Sequence, residues 1–309
     1  MEHEVYDIYH DESREESYWH GFLFVPRSNR DYLLSLLKQA RDGAKWQEFI
    51  SFKDISNKMG KNSPRVQLVE SWLTIALASL QQQKFYKKVS FFICGKPQKY
   101  FPCLEKPIKC KFIVFKERDN HRKMLKGLNK MKKIEITTRM GLLGGAHYLF
   151  DNDNPLMIGN LVIDKFGSKE KLRKMLIRLA HDLIKKKREY VYFIQGAKII
   201  PQSSNHKKIS SFKNPEDSHL LQFTDVLLGA VRFLSCKLDI QHVKYKISYP
   251  IQFLLKKDQN NFFEMKETRF AKGFSLTEAW IENGKWEFAP LKLKEDDNIY
   301  KSRQLKLSL

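Results

Sequence analysis

The stretch that decides the fold is Val5-Tyr6-Asp7-Ile8-Tyr9-His10-Asp11-Glu12-Ser13, an apolar and aromatic run that stops on acid. Such a run is a strand signal, and Asp-Glu-Ser directly after it ends the strand with carboxylates at its tip. Charge placed there has to be solvated, paired or metal-bound. The same grammar recurs in Leu161-Val162-Ile163-Asp164, where a second apolar run ends on an aspartate before Gly167-Ser168 opens a basic helix. If the two strands are adjacent and parallel, both carboxylates lie on one rim of a sheet. That is the edge where α/β sheets bind ligands, and the pair suits two hard divalent ions.

Composition bounds the reading. With 309 residues, 42% of them hydrophobic, and 22 Phe, the chain has ample core material for one large domain or two. Its formal net charge of +21 is spread along the chain and favours a polyanionic partner, nucleic acid or an acidic membrane surface, unless it only reflects a lysine-rich composition. No stretch approaches the roughly 18 apolar residues that span a bilayer, and Met1-Glu2-His3-Glu4 is not a signal peptide, so a soluble cytoplasmic protein without membrane association is expected. Cys94, Cys103, Cys110 and Cys236 show no Cys-x-x-Cys pairing and read as reduced structural thiols.

Outward from the first strand, Tyr18 to Val25 returns as its antiparallel partner, and Asn29 caps a helix through Leu33, Leu34, Leu36 and Leu37 that ends near Gly43. Glu48-Phe49-Ile50-Ser51-Phe52-Lys53 alternates like a short strand with a single acid, Glu48. Ser63-Pro64 starts a helix to about Gln83. Val89 to Cys94 and Ile108 to Phe115 read as strands, Asn120 to Lys130 as a charged helix, and Ile134 to Tyr148 as a strand interrupted by glycines. Asp151-Asn152-Asp153-Asn154-Pro155 reads as a turn, since it lacks the glycine and glutamate of a calcium loop.

After Asp164 a helix from Ser168 to about Arg188 carries Lys169, Arg173, Lys185, Lys186, Lys187 and Arg188. Its positive face is either a solvated surface or a track for a phosphate backbone; Lys207 and Lys208 in the loop after the strand Tyr190 to Ile200 extend it. From Glu216 to Leu234, Leu220, Phe223, Leu227, Val231 and Leu234 mark a largely buried helix, on which Ser218, Gln222, Asp225, Gly229 and Arg232 form one narrow polar stripe. An aspartate in that setting needs a partner, either Arg232 or, more favourably, a metal shared with Asp11 and Asp164. Gly229 allows close approach of a neighbouring chain segment. Beyond Cys236, Val243 to Tyr249, Gln252 to Leu255, Asn261 to Met265 and the hairpin signal Asn283-Gly284 predict a small β-rich extension. The expected division is residues 1–238 and an extension over 239–309, whose Trp280 and Trp286 offer a contact for a protein partner or a second copy.

Three of these elements together resemble the bacterial domain-of-unknown-function 3800 family: Ile8-Tyr9-His10-Asp11-Glu12-Ser13, Val162-Ile163-Asp164, and Asp217-Ser218 with Leu221-Gln222-Phe223-Thr224-Asp225. The likeness spans about residues 5–237. Arg14 stands where the family commonly has glycine, and Thr224 where it has alanine. The resemblance implies a ribonuclease H-like α/β fold, a mixed sheet flanked by helices, and a nuclease-type centre. It makes Asp11, Asp164, Asp225 and, through a looser match, Glu48 the catalytic carboxylates, with Glu12 and Asp217 as accessory metal ligands. The cofactor implied is Mg2+ or Mn2+, because carboxylates holding two divalent ions activate water and stabilise the leaving oxygen in phosphodiester hydrolysis. His206 is either a proton relay or a bystander. The expected function is metal-dependent hydrolysis of DNA or RNA; the alternatives are a nucleic-acid-binding module without turnover, or a protein-interaction module on the same fold.

Overall fold

The computed structural model describes residues 3–14, 17–60, 62–80, 108–118, 127–164, 169–185, 190–204, 215–236, 242–252, 254–255, 273–283 and 285–291. Its centre is a mixed seven-stranded sheet of β1 (Val5–Ser13), β2 (Trp19–Pro26), β3 (Lys111–Glu117), β4 (Leu156–Asp164), β5 (Val191–Gln202), β6 (Phe274–Glu282) and β7 (Lys285–Pro290) in the order β5-β4-β1-β2-β3-β6-β7. β2 is antiparallel to both β1 and β3, whereas β4 runs parallel to β1 and β5 parallel to β4. The chain is thus an α/β protein whose acid-tipped β1 and β4 are neighbours pointing the same way. β2 lies inside the sheet and is buried at every position, as its nearly continuous apolar sequence requires.

Helices cover both faces. On one lie α1 (Arg30–Ala44), α2 (Pro64–Leu80), α5 (Pro215–Ser235) and the short α6 (Val243–Ile247), sharing a core with Tyr9, Leu23, Val114, Val162 and Leu276. On the other lie α3 (Lys130–Met140) and α4 (Lys169–Lys185), packed with Ile8, Phe22, Ile113 and Ile163. Successive strand residues therefore alternate between the two cores. Pro64 opens α2 as Ser63-Pro64 predicted, and α1 runs one residue past Gly43, to Ala44, before Lys45 takes a left-handed conformation at φ 54. Asp151 to Pro155 is a turn in which Asp151 Oδ1 accepts the Asn154 N–H at 2.7 Å.

Several expectations are overturned. Ile134 to Tyr148 is not a strand: α3 continues to Met140, followed by a π turn at Gly141–Gly145 and a 3-10 turn at Ala146–Tyr148. Its β-branched residues are outweighed by a real cap, Asn129 accepting from Lys132 N–H at 2.9 Å, and by Glu135, which meets Lys132 and Arg139 one turn away and binds Arg178 of α4 through two 2.7 Å hydrogen bonds. The glycines there are places of close approach: a Cβ on Gly141 would lie 2.7 Å from the Phe22 ring. Val243 to Ile247 is helix, capped by His242, and residues 254–255 are helical as well. The C-terminal hairpin forms where Asn283-Gly284 placed it, with Asn283 at φ 51, yet β6 pairs in parallel with β3 and extends the main sheet. The extension expected from residue 239 is thus continuous with the rest of the fold, Phe274 and Leu276 joining one core and Ala279 the other. The expected strands at Val89 to Cys94 and Asn261 to Met265 and most of the expected helix from Asn120 lie outside the described residues. Among the described residues no helix is long and apolar enough to cross a membrane.

Candidate functional site

The carboxyl end of β1 sets the site. Tyr9 faces the core shared with α5, so Asp11, two residues on, is delivered to that same face, and Asp225 meets it from α5. The two carboxyl groups are hydrogen-bonded to each other. That contact needs a proton between them, or a cation in place of the proton. β4 arrives alongside: His10 pairs with Ile163, so Asp11 and Asp164 are the next residue on each strand. The Asp164 side chain lies outside the described residues.

Asp225 is raised above the ordinary carboxylate range, chiefly because burial disfavours its charged form. Opposing that are a hydrogen bond from the Ser51 side chain, another from the Phe52 N–H at 3.1 Å, attraction to Lys53 and the contact with Asp11. Lys53 is thus a cation acting on it.

The partners of Asp225 come from a segment the sequence misrepresents. Residues 48–51 are an irregular connection, followed by a 3-10 turn at Phe52–Asp54, where a strand was expected. Its alternation has a different cause: Ile50 N–H donates to Gln222 Oε1 at 3.2 Å and Phe52 N–H to Asp225 Oδ2, so alternate amides are satisfied by one helix stripe instead of a neighbouring strand. The rest of the stripe works likewise. Gln222 Nε2 donates to Ser204 C=O at 2.6 Å, and Ser218 Oγ to Ser203 C=O at 2.6 Å, tying the end of β5 to α5. Gly229 lets Phe52 in, since a Cβ there would lie 2.5 Å from the Phe52 Cβ.

Arg41 holds this arrangement from below. Its guanidinium is buried, lies over the Trp72 ring, and donates to Gln222 Oε1 and to the Glu48 carbonyl, both at 2.7 Å. Burial lowers its pKa to about 10, which leaves it charged at neutral pH. Neither Arg41 nor Ser51 stands out in the sequence. The available signal for Arg41 was a charge at helical spacing between the buried Leu37 and Ala44.

The other predicted site residues divide clearly. Asp217 is held elsewhere: Tyr9 Oη donates to it at 2.8 Å and Arg30 at 3.1 Å, while Arg30 also binds Glu216. Glu12 belongs by alternation to the opposite face from Asp11 and pairs with Arg14 at 2.6 Å. Glu48 sits half-buried in the connection, anchored through its backbone carbonyl. Among the described residues no third carboxylate, imidazole or thiol joins Asp11 and Asp225 in a metal-holding group, so Glu12, Glu48 and Asp217 stand outside it. On α4, Arg173 and Lys185 are exposed, whereas Lys174 pairs with Glu170 and Arg178 with Glu135. Lys186, Lys187, Arg188, His206, Lys207, Lys208 and the Lys169 side chain lie outside the described residues.

Behind Asp11, on the opposite face, a second polar chain was not anticipated. His10 Nε2 lies 3.4 Å from His20 Nδ1, and His20 Nε2 lies 2.7 Å from Glu117 Oε1. All three side chains are buried, with His10 stacked on Phe22 and His20 tilted against Phe115. Burial, and secondarily His20, holds the His10 pKa well below the usual imidazole value. No family model, curated protein or solved structure matches this chain.

Proposed function

We propose that the protein is a divalent-metal-dependent nuclease, with the carboxyl ends of β1 and β4 and the middle of α5 forming its centre on a ribonuclease H-like sheet. The observation that carries this reading is the contact between the Asp11 and Asp225 carboxyl groups in a half-buried position beside the end of β4. Two carboxylates in contact repel unless a proton or a cation lies between them, and oxygen donors of this kind suit Mg2+ or Mn2+. The antiparallel β1–β2–β3 meander, joined through β1 to parallel β4 and β5, agrees with the fold that the resemblance implies.

In this reading Asp11, Asp225 and Asp164 hold the metal, and the bound ions supply an activated water and neutralise charge on the leaving oxygen. The chain's own residues orient the ligands. Ser51 and the Phe52 N–H fix the Asp225 carboxylate, Gln222 and Arg41 fix the segment that carries them, and Lys53 contributes positive charge beside the pair. DNA and RNA are the proposed substrates, in keeping with the +21 charge of the chain.

The test is cleavage of labelled single-stranded, double-stranded and hybrid substrates with Mg2+ or Mn2+, comparing wild type with Asp11→Asn and Asp225→Asn. Changes in a metal's outer shell alone cost about 10–100-fold, so loss of a direct ligand is expected to lower the rate by at least about a hundredfold with the fold intact. Binding that survives chelation, with no cleavage under any condition, would overturn the catalytic reading in favour of a binding module.

A further inference from the structure

We infer that the rim formed by β3 and β6, at the end of the sheet where the carboxyl pair lies, is a stacking platform for single-stranded nucleic acid. The proposal deepens the nuclease reading by naming the substrate class, and it rests on that reading only for where the strand leads.

The platform is built from cations laid over aromatic rings at one end of the sheet. The Arg118 guanidinium lies over the half-buried Trp280 ring at 3.6 Å, and Lys116, which covers the buried Trp19 ring at 6.0 Å, stands two residues before it on β3. The backbone register places them side by side. Ser13 pairs with Trp19, Trp19 with Lys116, and Lys116 with Glu278, while Arg118 N–H continues the ladder to the Ala279 carbonyl. By alternation Lys116 and Arg118 share the face of Val114, and Glu278 and Trp280 that of Leu276. Both belong to the core face onto which Asp11 emerges.

Two features fit unpaired bases. The Arg118 guanidinium is pinned at its edge by Glu278 at 2.5 Å, with nearly half of its side chain exposed. A guanidinium fixed at its edge and stacked on a ring presents its other planar surface in a set orientation, and bases stack on such planes as well as on aromatic rings. The spacing also suits a strand. From β3 to β6 is one inter-strand step, about 5 Å, room for one or two stacked bases. A duplex keeps its bases stacked on one another and has nothing to offer these planes. Its binding would depend on charge alone, and Glu278 reduces the net charge here.

The test is fluorescence anisotropy with labelled oligothymidylate, labelled oligouridylate and a duplex of equal length, all in chelator so that no turnover occurs. Trp280→Ala and Arg118→Ala are each expected to weaken single-strand binding about tenfold and duplex binding less than about threefold. Arg118→Lys keeps the charge and loses the plane, so binding is expected to stay weak. Arg118 is well exposed, so its variants remain informative if Trp280→Ala does not fold. Restoration by lysine, parallel loss of duplex binding, or failure of the wild type to bind single strands would each overturn the platform. The two proposals fail separately. Single-strand binding that depends on Trp280 without metal-dependent cleavage sinks the nuclease and leaves the platform. Cleavage with unchanged KM for single strands in Arg118→Ala and Trp280→Ala sinks the platform and leaves the nuclease.

Discussion

Asp217 and Asp225 stand on the same helix, eight residues or about 12 Å apart, and both face β1, yet they live in opposite electrostatic settings. Asp217 is answered in full, by the Tyr9 hydroxyl and the Arg30 guanidinium. Asp225 receives two hydrogen bonds and the pull of Lys53, but its neighbour across the interface is another carboxyl group, and burial still dominates its titration. A buried charge with a dedicated counterion is a structural fastening. One that shares a proton with a second carboxyl group, its titration raised chiefly by burial, is a place where a cation can take over from that proton. The three-residue chain of His10, His20 and Glu117 sits with Asp217 in this respect, buried and mutually bonded behind the strand.

The difference is largest in stability. Asp217→Ala leaves the mostly buried Arg30 without one of its carboxylates and the Tyr9 hydroxyl without its acceptor, and a loss of about 3–5 kcal/mol is expected in urea unfolding. A loss below about 1 kcal/mol would mean that Glu216 takes over, and would erase the contrast. Next is the response to metal. At a Mg2+ or Mn2+ concentration about a hundred times its dissociation constant, wild type is expected to gain about 2.7 kcal/mol, read as a rise in Tm of several degrees. Asp11→Asn and Asp225→Asn are expected to lose that rise, and Asp217→Asn to retain it.

Asp225→Asn also has a predicted sign without metal. A carboxyl whose folded pKa is raised holds its proton more tightly in the folded state. Stability therefore falls as pH rises through the unfolded value near 3.8 and on to the folded value, above which the penalty is constant. Asparagine removes the ionisation while its carbonyl can still accept from Phe52 N–H. The metal-free variant is expected to be more stable than wild type at pH 7 by about 0.5–2 kcal/mol, with the gain vanishing near pH 3. A gain that persists at pH 3, or a net loss at pH 7, would show that the Asp225 carboxylate is satisfied by Ser51 and Phe52 after all.

Much of this was legible in the residues, for identifiable reasons. The two acid-tipped strands have strong local signals, and the polar stripe of α5 follows from helical spacing against an apolar background. What was hidden depends on the partner. Glu48 to Lys53 alternates because Gln222 and Asp225 accept alternate amides, which no local pattern separates from strand pairing. Ile134 to Tyr148 has β-branched residues and glycines, but its helix is secured by Arg178 from a distant segment and by the fit of Gly141 against Phe22. Asp217 looked like a ligand because its partners, the Arg30 guanidinium and the Tyr9 hydroxyl, lie nearly two hundred residues or more away in sequence.

The smallest expected effect tests the strand itself. Glu12 and Asp11 are adjacent carboxylates at the tip of β1, and a tally of acids would give both to the metal. Strand alternation separates them: Asp11 turns to α5, while Glu12 turns to the other face and forms a partly exposed pair with Arg14, a contact worth about 0–1 kcal/mol. Glu12→Gln is therefore expected to change unfolding free energy by less than about 0.5 kcal/mol and to leave the metal-induced rise in Tm intact, the reverse of Asp11→Asn next door. If Glu12→Gln abolished the rise, the metal would have to draw ligands from both faces of β1. The tip of the strand would then have to untwist on binding, and the fixed division between an aspartate fastened to a counterion and one set against a second carboxyl group would give way to a centre that assembles only with its ion.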